Sequence, residues 1–488
     1  MKLSELPKWL GSDCAGLPDS PIAAITEDSR RVGPGTVFVA VPGVRSDGHA
    51  FAQQAVEAGA VAIVGSRSGV ASLYGVPYLF TNHPRRVLGL VAHALAGDPS
   101  RALTVIGVTG TNGKSSSVLL AQRMLEHCGH RTAAFGTLGY DIAGTIHPAA
   151  HTTPFGEELA GMFRRARDAG LTHVVMEASS HALDQDRVAG IDFNVAVFTN
   201  LTQDHLDYHP DMDAYRRAKM RLFEGIQGPG RFTVVNRDDP SAPHFIAASK
   251  APCLTFGSNA DVRPCDIRMG LAGTSFTVET PWGRQEIRSS LLGLHNVSNL
   301  LGVIAMGGGL GLPLAGIAEG IASLEHVPGR FERVDAGQDF LVIVDYAHTE
   351  DGLHNVLAAA RSVCDGRVIC VFGCGGDRDK TKRPKMAAVA ARQADFSIVT
   401  SDNPRTEDPL RIIADVESGL AASGKRRGPD YAVIPDRAEA IRHAIGLARP
   451  GDLVMIAGKG HEDYQIIGTA KIHFDDRETA RAILEERM

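Results

Sequence analysis

Short apolar runs recur along the chain, and nearly every one empties into a cluster of glycine and polar residues at its C-terminal end. Residues 1–98 carry "TVFVAV" (36–41) and "VAIVG" (61–65), separated by turns such as "GPG" and by one helical stretch, "FAQQAVEAGA". That pattern predicts a small α/β unit. From residue 99 the runs "LTVIGVTG", "THVVMEA", "FNVAVFTN" and "RFTVVN" alternate with helical stretches, as in a parallel sheet with crossover helices. A Pro-Gly break in "HVPGR" (326–330) precedes a second series, "FLVIVDY", "RVICVFG", "DFSIVTS" and "DLVMIAG". The predicted fold class is therefore α/β in three domains, 1–98, 99–328 and 329–488: a small N-terminal α/β domain, a central parallel-sheet domain and a Rossmann-like C-terminal domain. In doubly wound sheets ligands bind outside the carboxyl ends of the strands. Two successive sheets with that edge loaded predict reactants held between them.

Composition narrows the partners. The 488 residues suit roughly three domains of about 150 residues each; 44% are hydrophobic, 22% charged, and the net charge is −6. No basic stripe of the kind that marks a nucleic-acid binder is present. The N-terminal "MKLSELPKWLGSDCAGLPDS" lacks the apolar core of a signal peptide. The stretch 297–318 has no acidic or basic residue but contains Asn299, Gly307–Gly309 and Pro313; two soluble helical pieces joined by a turn are expected there rather than a membrane span. Seven scattered cysteines read as reduced thiols of a cytoplasmic protein. The spacing of Cys370 and Cys374 has no matching second pair, which argues against a metal site.

The candidate chemistry lies at the strand ends. "VTGTNGKSSS" (108–117) follows a strand and precedes the amphipathic "SVLLAQRMLEHCGH". Glycines there let backbone N–H groups converge at a helix N-terminus, which attracts phosphate. Lys114 would neutralise phosphate charge and the Ser115 hydroxyl would ligate Mg²⁺. The general phosphate-loop pattern wants glycine where Val108 stands. Glu177, Asp204, His205, Asp207 and His209 cluster after the next two strands, so a carboxylate from a neighbouring strand end is expected to join the metal. Lys219, on a helix, reads from composition as a solvated charge. Arg378 and Arg405 follow consecutive strands, with Asp402 and Glu462 close in kind. Arginine forks suit carboxylates and acids suit ammonium groups, so such a pocket would hold an amino-acid zwitterion; ordinary turn chemistry explains "NPR" equally well.

Taken together, "VTGTNGKSSS", "MEASSHALDQDRV", "FTNLTQDHLDYH…YRRAK", "LHNVSNLLGVIA", "VPGRFERV", "VDYAHTEDGL", "FGCGGDRDKTKRP", "SDNPRTEDP" and "GKGHEDYQ" resemble the Mur ligase family. The resemblance runs in order from "TEDSRRVGPGTVFVAVPG" almost to the C-terminus. That family carries T-G-T-N-G-K-[ST] as its own phosphate loop, so Val108 is no defect. It implies a UDP-sugar-binding first domain, a central ATP-binding domain and an amino-acid-binding last domain. The implied reaction is ATP-dependent amide formation in peptidoglycan precursor synthesis, in the type that adds meso-diaminopimelate to a UDP-N-acetylmuramoyl dipeptide through an acyl phosphate. Implied co-substrate and cofactors are ATP, two Mg²⁺ ions and CO₂; a cytoplasmic monomer without nucleic-acid or membrane partners is expected.

The resemblance also implies site residues. Gly110, Thr111, Asn112, Gly113, Lys114, Ser115 and Ser116 would hold the ATP phosphates, and Asn296, Arg330, Asp345 and His348 the rest of the nucleotide. Ser115, Glu177 and His205 would hold Mg²⁺, joined by Lys219 as an N6-carboxylysine; Lys114, Lys219, His205 and Glu177 form the implied catalytic set. Ser29, Val44, Arg45 and Ser46 match the uridine end of the UDP-sugar peptide, and Thr152, Thr153, Ser179, Gln185 and Arg187 its muramoyl-dipeptide end. His151 stands where asparagine is common. Arg378, Asp402, Asn403, Pro404, Arg405, Gly458 and Glu462 match the amino-acid pocket, and "DNPR" is the form that goes with diaminopimelate. Rival readings are the same chemistry with L-lysine, a P-loop kinase or switch ATPase with no amino-acid pocket, and a binding protein without catalysis. Folylpolyglutamate synthetase shares the fold but would lack the UDP-binding first domain.

Overall fold

In the computed structural model, which describes residues 1–10, 17–43, 47–270 and 273–487, the apolar runs become the strands of three separate parallel-rich sheets. The first sheet, in residues 24–80, places Thr36–Ala40 between Ala24–Thr26 and Ala60–Gly65. The central sheet has eight strands. Its middle strand, Thr104–Thr109, pairs in parallel with Val195–Phe198 on one side and His173–Glu177 on the other. That is the point where strand order reverses, and it opens a crevice at the carboxyl edge. The last sheet has six strands, with Leu453–Ala457 inserted between Leu341–Asp345 and Val368–Phe372. The expected α/β class holds.

These strands read as unbroken apolar runs because both sheet faces are covered. Every residue of His173–Glu177, Val195–Phe198, Val368–Phe372 and Leu453–Ala457 is buried. One face of the central sheet packs with helices Lys114–His127 and Leu294–Gly309, the other with Gly156–Asp168 and Met212–Glu224.

Some elements lie outside the expected alternation. Thr132–Gly136 continues into an antiparallel edge with Gly139–Ile142 and Thr145–His147, and residues 263–289 form a three-stranded antiparallel sheet. The 297–318 stretch is indeed two helices, Leu294–Gly309 and Leu314–Ala322. The glycine triplet expected in the turn lies inside the first helix instead. A Cβ at Gly307 would come 2.8 Å from the Met124 sulfur, and one at Gly308 or Gly309 would strike the Trp282 or Phe232 ring. Close packing, not chain reversal, selects those glycines. No helix among the described residues is long and apolar enough to cross a membrane.

Candidate active site

The buried strand Thr104–Thr109 delivers the chain to a tight loop and then to helix Lys114–His127. Gly113 is left-handed (φ 83°), a conformation glycine adopts without strain. A Cβ there would strike Asn299, and one at Gly110 would strike Thr199. The loop hangs on the end of the adjacent strand. Asn200 accepts the Asn112 N–H through Oδ1 (2.8 Å) and takes the Thr111 N–H on its carbonyl (2.9 Å), while the Thr199 hydroxyl donates to Asn112 O (2.7 Å). The motif reading gave no site role to Thr199, Asn200 or Asn299; the "TN" closing "FNVAVFTN" was the available signal.

Four expected side chains converge under this loop. The Ser115 hydroxyl donates to Glu177 Oε1 (2.8 Å), which also receives the Thr137 N–H (2.8 Å). Lys114 Nζ donates to the carbonyls of Gly110 (3.1 Å) and Thr111 (2.8 Å). Lys219, read from composition as solvated, is 1% exposed. Its Nζ donates to Gly110 O (2.7 Å) above the Tyr215 ring, because helix Met212–Glu224 turns that face onto the sheet. Burial drives the Lys219 amine far below the ordinary lysine range, and the neighbouring Lys114 charge pushes the same way, against Asp204. Lys114 is lowered too, chiefly by desolvation. His205, in left-handed backbone (φ 55°), is pulled down to about 3 by burial. Asp207 is exposed, and His209 is buried against His181 and Tyr215; neither reaches the cluster.

A cavity of about 650 Å³ separates the carboxyl edges of the central and last sheets. Thr137, His151, Thr152, Asp204 and His205 line it from one side, and Arg378, Asp402, Asn403, Arg405, Gly458 and Glu462 from the other. Pro404 does not line it. Arg405 Nη1 donates to Gly376 O (2.8 Å), and Asn403 Nδ2 donates to Glu462 Oε2 (2.9 Å). Burial opposes the charge of Asp402, but Lys459 and Arg437 reverse that and hold its carboxyl below the usual range.

A second cleft of about 390 Å³ contains Gly113, Ser116, Asn296, Arg330 and Asp345. Arg330 stacks on the Tyr346 ring (4.5 Å), and Asp345 accepts the N–H groups of Phe331 and Ala347 (2.7 Å each). His348 lines the larger cavity rather than this cleft, its Nε2 3.9 Å from Asp204. Three contacts that the motifs did not name tie the central loops to the last sheet: Asn112 to Asp351 (2.7 Å), Gln203 to Asp379 (3.0 Å) and Gln203 to Thr381 (2.8 Å).

On the far side of Glu177, Thr153 donates to its carbonyl (2.8 Å) and contacts Ser179. Arg187 bonds Thr153 O (3.1 Å) and Gln185, over the Phe155 ring; burial draws its guanidinium down to about 10. Ser29 is half-buried in the short helical turn Ser29–Arg31 that follows the first strand, and Val44, Arg45 and Ser46 fall outside the described residues. Among the described residues no set of three or more His, Cys, Asp or Glu side chains is placed to hold a metal unaided. Cys370 and Cys374 are buried, their thiols pushed up to about 12 and about 11 by desolvation.

This geometry has known counterparts. Residues 108–307 match the Mur ligase middle domain, residues 329–460 the Mur ligase glutamate ligase domain, and residues 21–92 the Mur ligase family catalytic domain. The chain is 46% identical to the UDP-N-acetylmuramoyl-L-alanyl-D-glutamate–2,6-diaminopimelate ligase of Syntrophomonas wolfei, over 100% of both chains. It is 47% identical to the ligase of that name from Geobacillus thermodenitrificans, over 99% of both. A solved structure of a ligase of the same name superposes with a TM-score of 0.70 at 33% identity, covering 100% of this chain and 99% of that one. Similarity of this extent across all three sheets means that the chain belongs to the Mur ligase family.

Proposed function

We propose that the protein is an ATP-dependent ligase joining meso-2,6-diaminopimelate to the D-glutamyl carboxylate of UDP-N-acetylmuramoyl-L-alanyl-D-glutamate, a step of peptidoglycan precursor synthesis. The observation that carries this reading is the 650 Å³ cavity itself, where Asp204 and His205 beside the phosphate loop face the Arg378, Asp402, Arg405 and Glu462 cluster. A carboxylate is a poor electrophile. Its oxygen attacks the γ-phosphorus of ATP, ADP leaves, and the resulting acyl phosphate carries a good leaving group. The free amine of diaminopimelate then attacks the acyl carbon, inorganic phosphate departs, and the amine proton passes to solvent.

The chain's own groups serve those steps. Lys114 and the helix N-terminus offset the phosphate charge that otherwise repels the attacking carboxylate. The Arg405 fork suits the distal carboxylate that L-lysine lacks, which favours diaminopimelate over the lysine alternative, and Asp402 and Glu462 suit ammonium groups. Ser115 and Glu177 offer hard oxygen donors, and a donor set this sparse fits Mg²⁺, which keeps several waters and takes phosphate oxygens. When bound, Mg²⁺ would supply charge neutralisation at the transferring phosphoryl group. Burial pushes the Lys219 amine toward its neutral form, the form that adds to CO₂; an N–C bond forms, a proton leaves, and the carbamate would be an anion beside Lys114 and His205. Thr152, Thr153, Ser179, Gln185 and Arg187 suit the muramoyl-dipeptide end, and Ser29 the uridine end. One chain carries the whole donor set, which supports a monomer as the working unit, and nucleotide-linked substrates suit the cytoplasm. The test is ADP release with the UDP-linked dipeptide and either meso-diaminopimelate or L-lysine. Release without an amino acid would favour a switch ATPase, and preference for lysine would sink the Arg405 argument.

A further inference from the structure

The loop "GKGHED" follows the buried strand Leu453–Ala457. A lysine in a loop normally keeps its ammonium in water, yet Lys459 is 0% exposed. Its Nζ donates to Asn403 Oδ1 (3.0 Å) and to Tyr464 O (2.6 Å) and lies 3.5 Å from Glu462 Oε2. Asn403 Oδ1 also accepts the Ile466 N–H (2.9 Å). With two donors fixing that oxygen, the amide nitrogen of Asn403 points at Glu462 Oε2. The hairpin that begins at Tyr464 grips the same turn from behind. Gln465 Nε2 donates to Asp402 O (2.6 Å), Arg405 N–H to Ile466 O (3.0 Å) and Gly468 N–H to Arg405 O (2.7 Å). Arg405 is held in left-handed backbone (φ 52°), a conformation that non-glycine residues keep only where their surroundings impose it.

We propose that Lys459 is a positioning residue for the amino-acid substrate: its buried ammonium locks the Asp402–Arg405 turn to the Tyr464–His473 hairpin and keeps the Glu462 carboxylate charged to receive a substrate ammonium group. The proposal rests on the amino-acid pocket assigned above. Several groups face Glu462. Tyr346 donates to Oε1 (3.4 Å) and Asn403 to Oε2, while Asp402, Arg405, Arg437 and Tyr464 act through their charges or dipoles. Burial, then Asp402, push the Glu462 carboxyl up, and Lys459 is the foremost group holding it down. Without that cation Glu462 takes a proton at higher pH, and Asn403 is free to turn its amide.

The experiment uses the full-length enzyme with ATP, the UDP-linked dipeptide and meso-diaminopimelate. Lys459→Met is expected to raise the KM for diaminopimelate about 30-fold and leave the KM values for ATP and dipeptide within about twofold. The acid limb of kcat/KM for diaminopimelate is expected to move up by about one pH unit. Because Lys459→Met buries an uncompensated acid and can impair folding, Lys459→Met/Glu462→Gln is compared with Glu462→Gln alone. The double variant is expected to bind diaminopimelate no more than about threefold worse, since the charge Lys459 balances is gone. An unchanged diaminopimelate KM in Lys459→Met, equal rises in all three KM values, or fully additive losses in the double variant would each overturn the proposal. A wild-type enzyme that forms no product with diaminopimelate overturns the assigned reaction instead, whatever Lys459 does.

Discussion

The phosphate-loop side and the amino-acid side of the cavity are both strand-end clusters, but they handle buried charge in opposite ways. Under the loop, Lys219 and Lys114 meet backbone carbonyls, the Lys114 charge acts against that of Lys219, and desolvation depresses both. Across the cavity, Arg437 is bound twice by Asp476 (2.7 Å each) and approaches Asp402 (4.0 Å), while Lys459 faces Glu462. A site that waits for phosphates leaves its cations short of anions. The opposite cluster pairs its buried cations with acids, Arg437 with Asp476 and Lys459 with Glu462, as suits the zwitterion proposed for it.

Substitutions can break or sharpen that contrast. Lys219→Ala is expected to lower kcat by at least about 1,000-fold, roughly 4 kcal/mol, with partial rescue by short carboxylic acids; full activity would remove Lys219 from the site. On the balanced side, Arg437→Met leaves Asp476 unpaired in the interior, which costs about 3–5 kcal/mol and is read as a lower urea midpoint. Arg405→Ala is expected to raise the KM for diaminopimelate by about 50-fold, some 2.3 kcal/mol, with ATP little affected; equal effects on both would show the pocket misassigned. Replacing the unbalanced buried amine without opening a cavity reverses the sign of the stability effect: Lys219→Met in bicarbonate-free buffer should gain about 1 kcal/mol. A fall in stability comparable to that of Arg437→Met would erase the distinction.

A control comes from His93, which is buried with neither ring nitrogen partnered among the described residues and is pulled down to about 4 by burial. Its folded pKa lies below the unfolded value of about 6.5, so between those values the unfolded chain binds more protons and stability is lost as pH falls from 6.5 toward 4. His93→Leu should therefore show a shallower decline of Tm over that range; an unchanged slope would show that His93 does not titrate with unfolding.

Much of the architecture was legible because parallel strands covered on both faces must be apolar throughout; "THVVMEA" and "DLVMIAG" could be little else. The strands at 263–289 were missed because half-exposed antiparallel strands alternate, and residues such as Arg263, Asp266 and Arg268 look like loop. The glycine triplet misled for a related reason. Glycine marks a turn or a close contact, and only the Trp282 and Phe232 rings decide which.

At the site, the motifs named Lys114, Ser115, Glu177 and Arg405 by residue type and spacing. Lys219 needed a family resemblance, and Lys459 was not found. Both are lysines whose significance is their burial, and burial is a through-space property, set by which helix or hairpin folds over them. The sequence by itself determined the strands, their polar carboxyl edges and the phosphate loop, because these follow from local periodicity and backbone chemistry. The tertiary structure alone decided that the two edges face one another, that two lysine side chains lie out of water, and which of them has an acid beside it. Those facts depend on the distance between groups hundreds of residues apart, and local pattern carries no information about that distance.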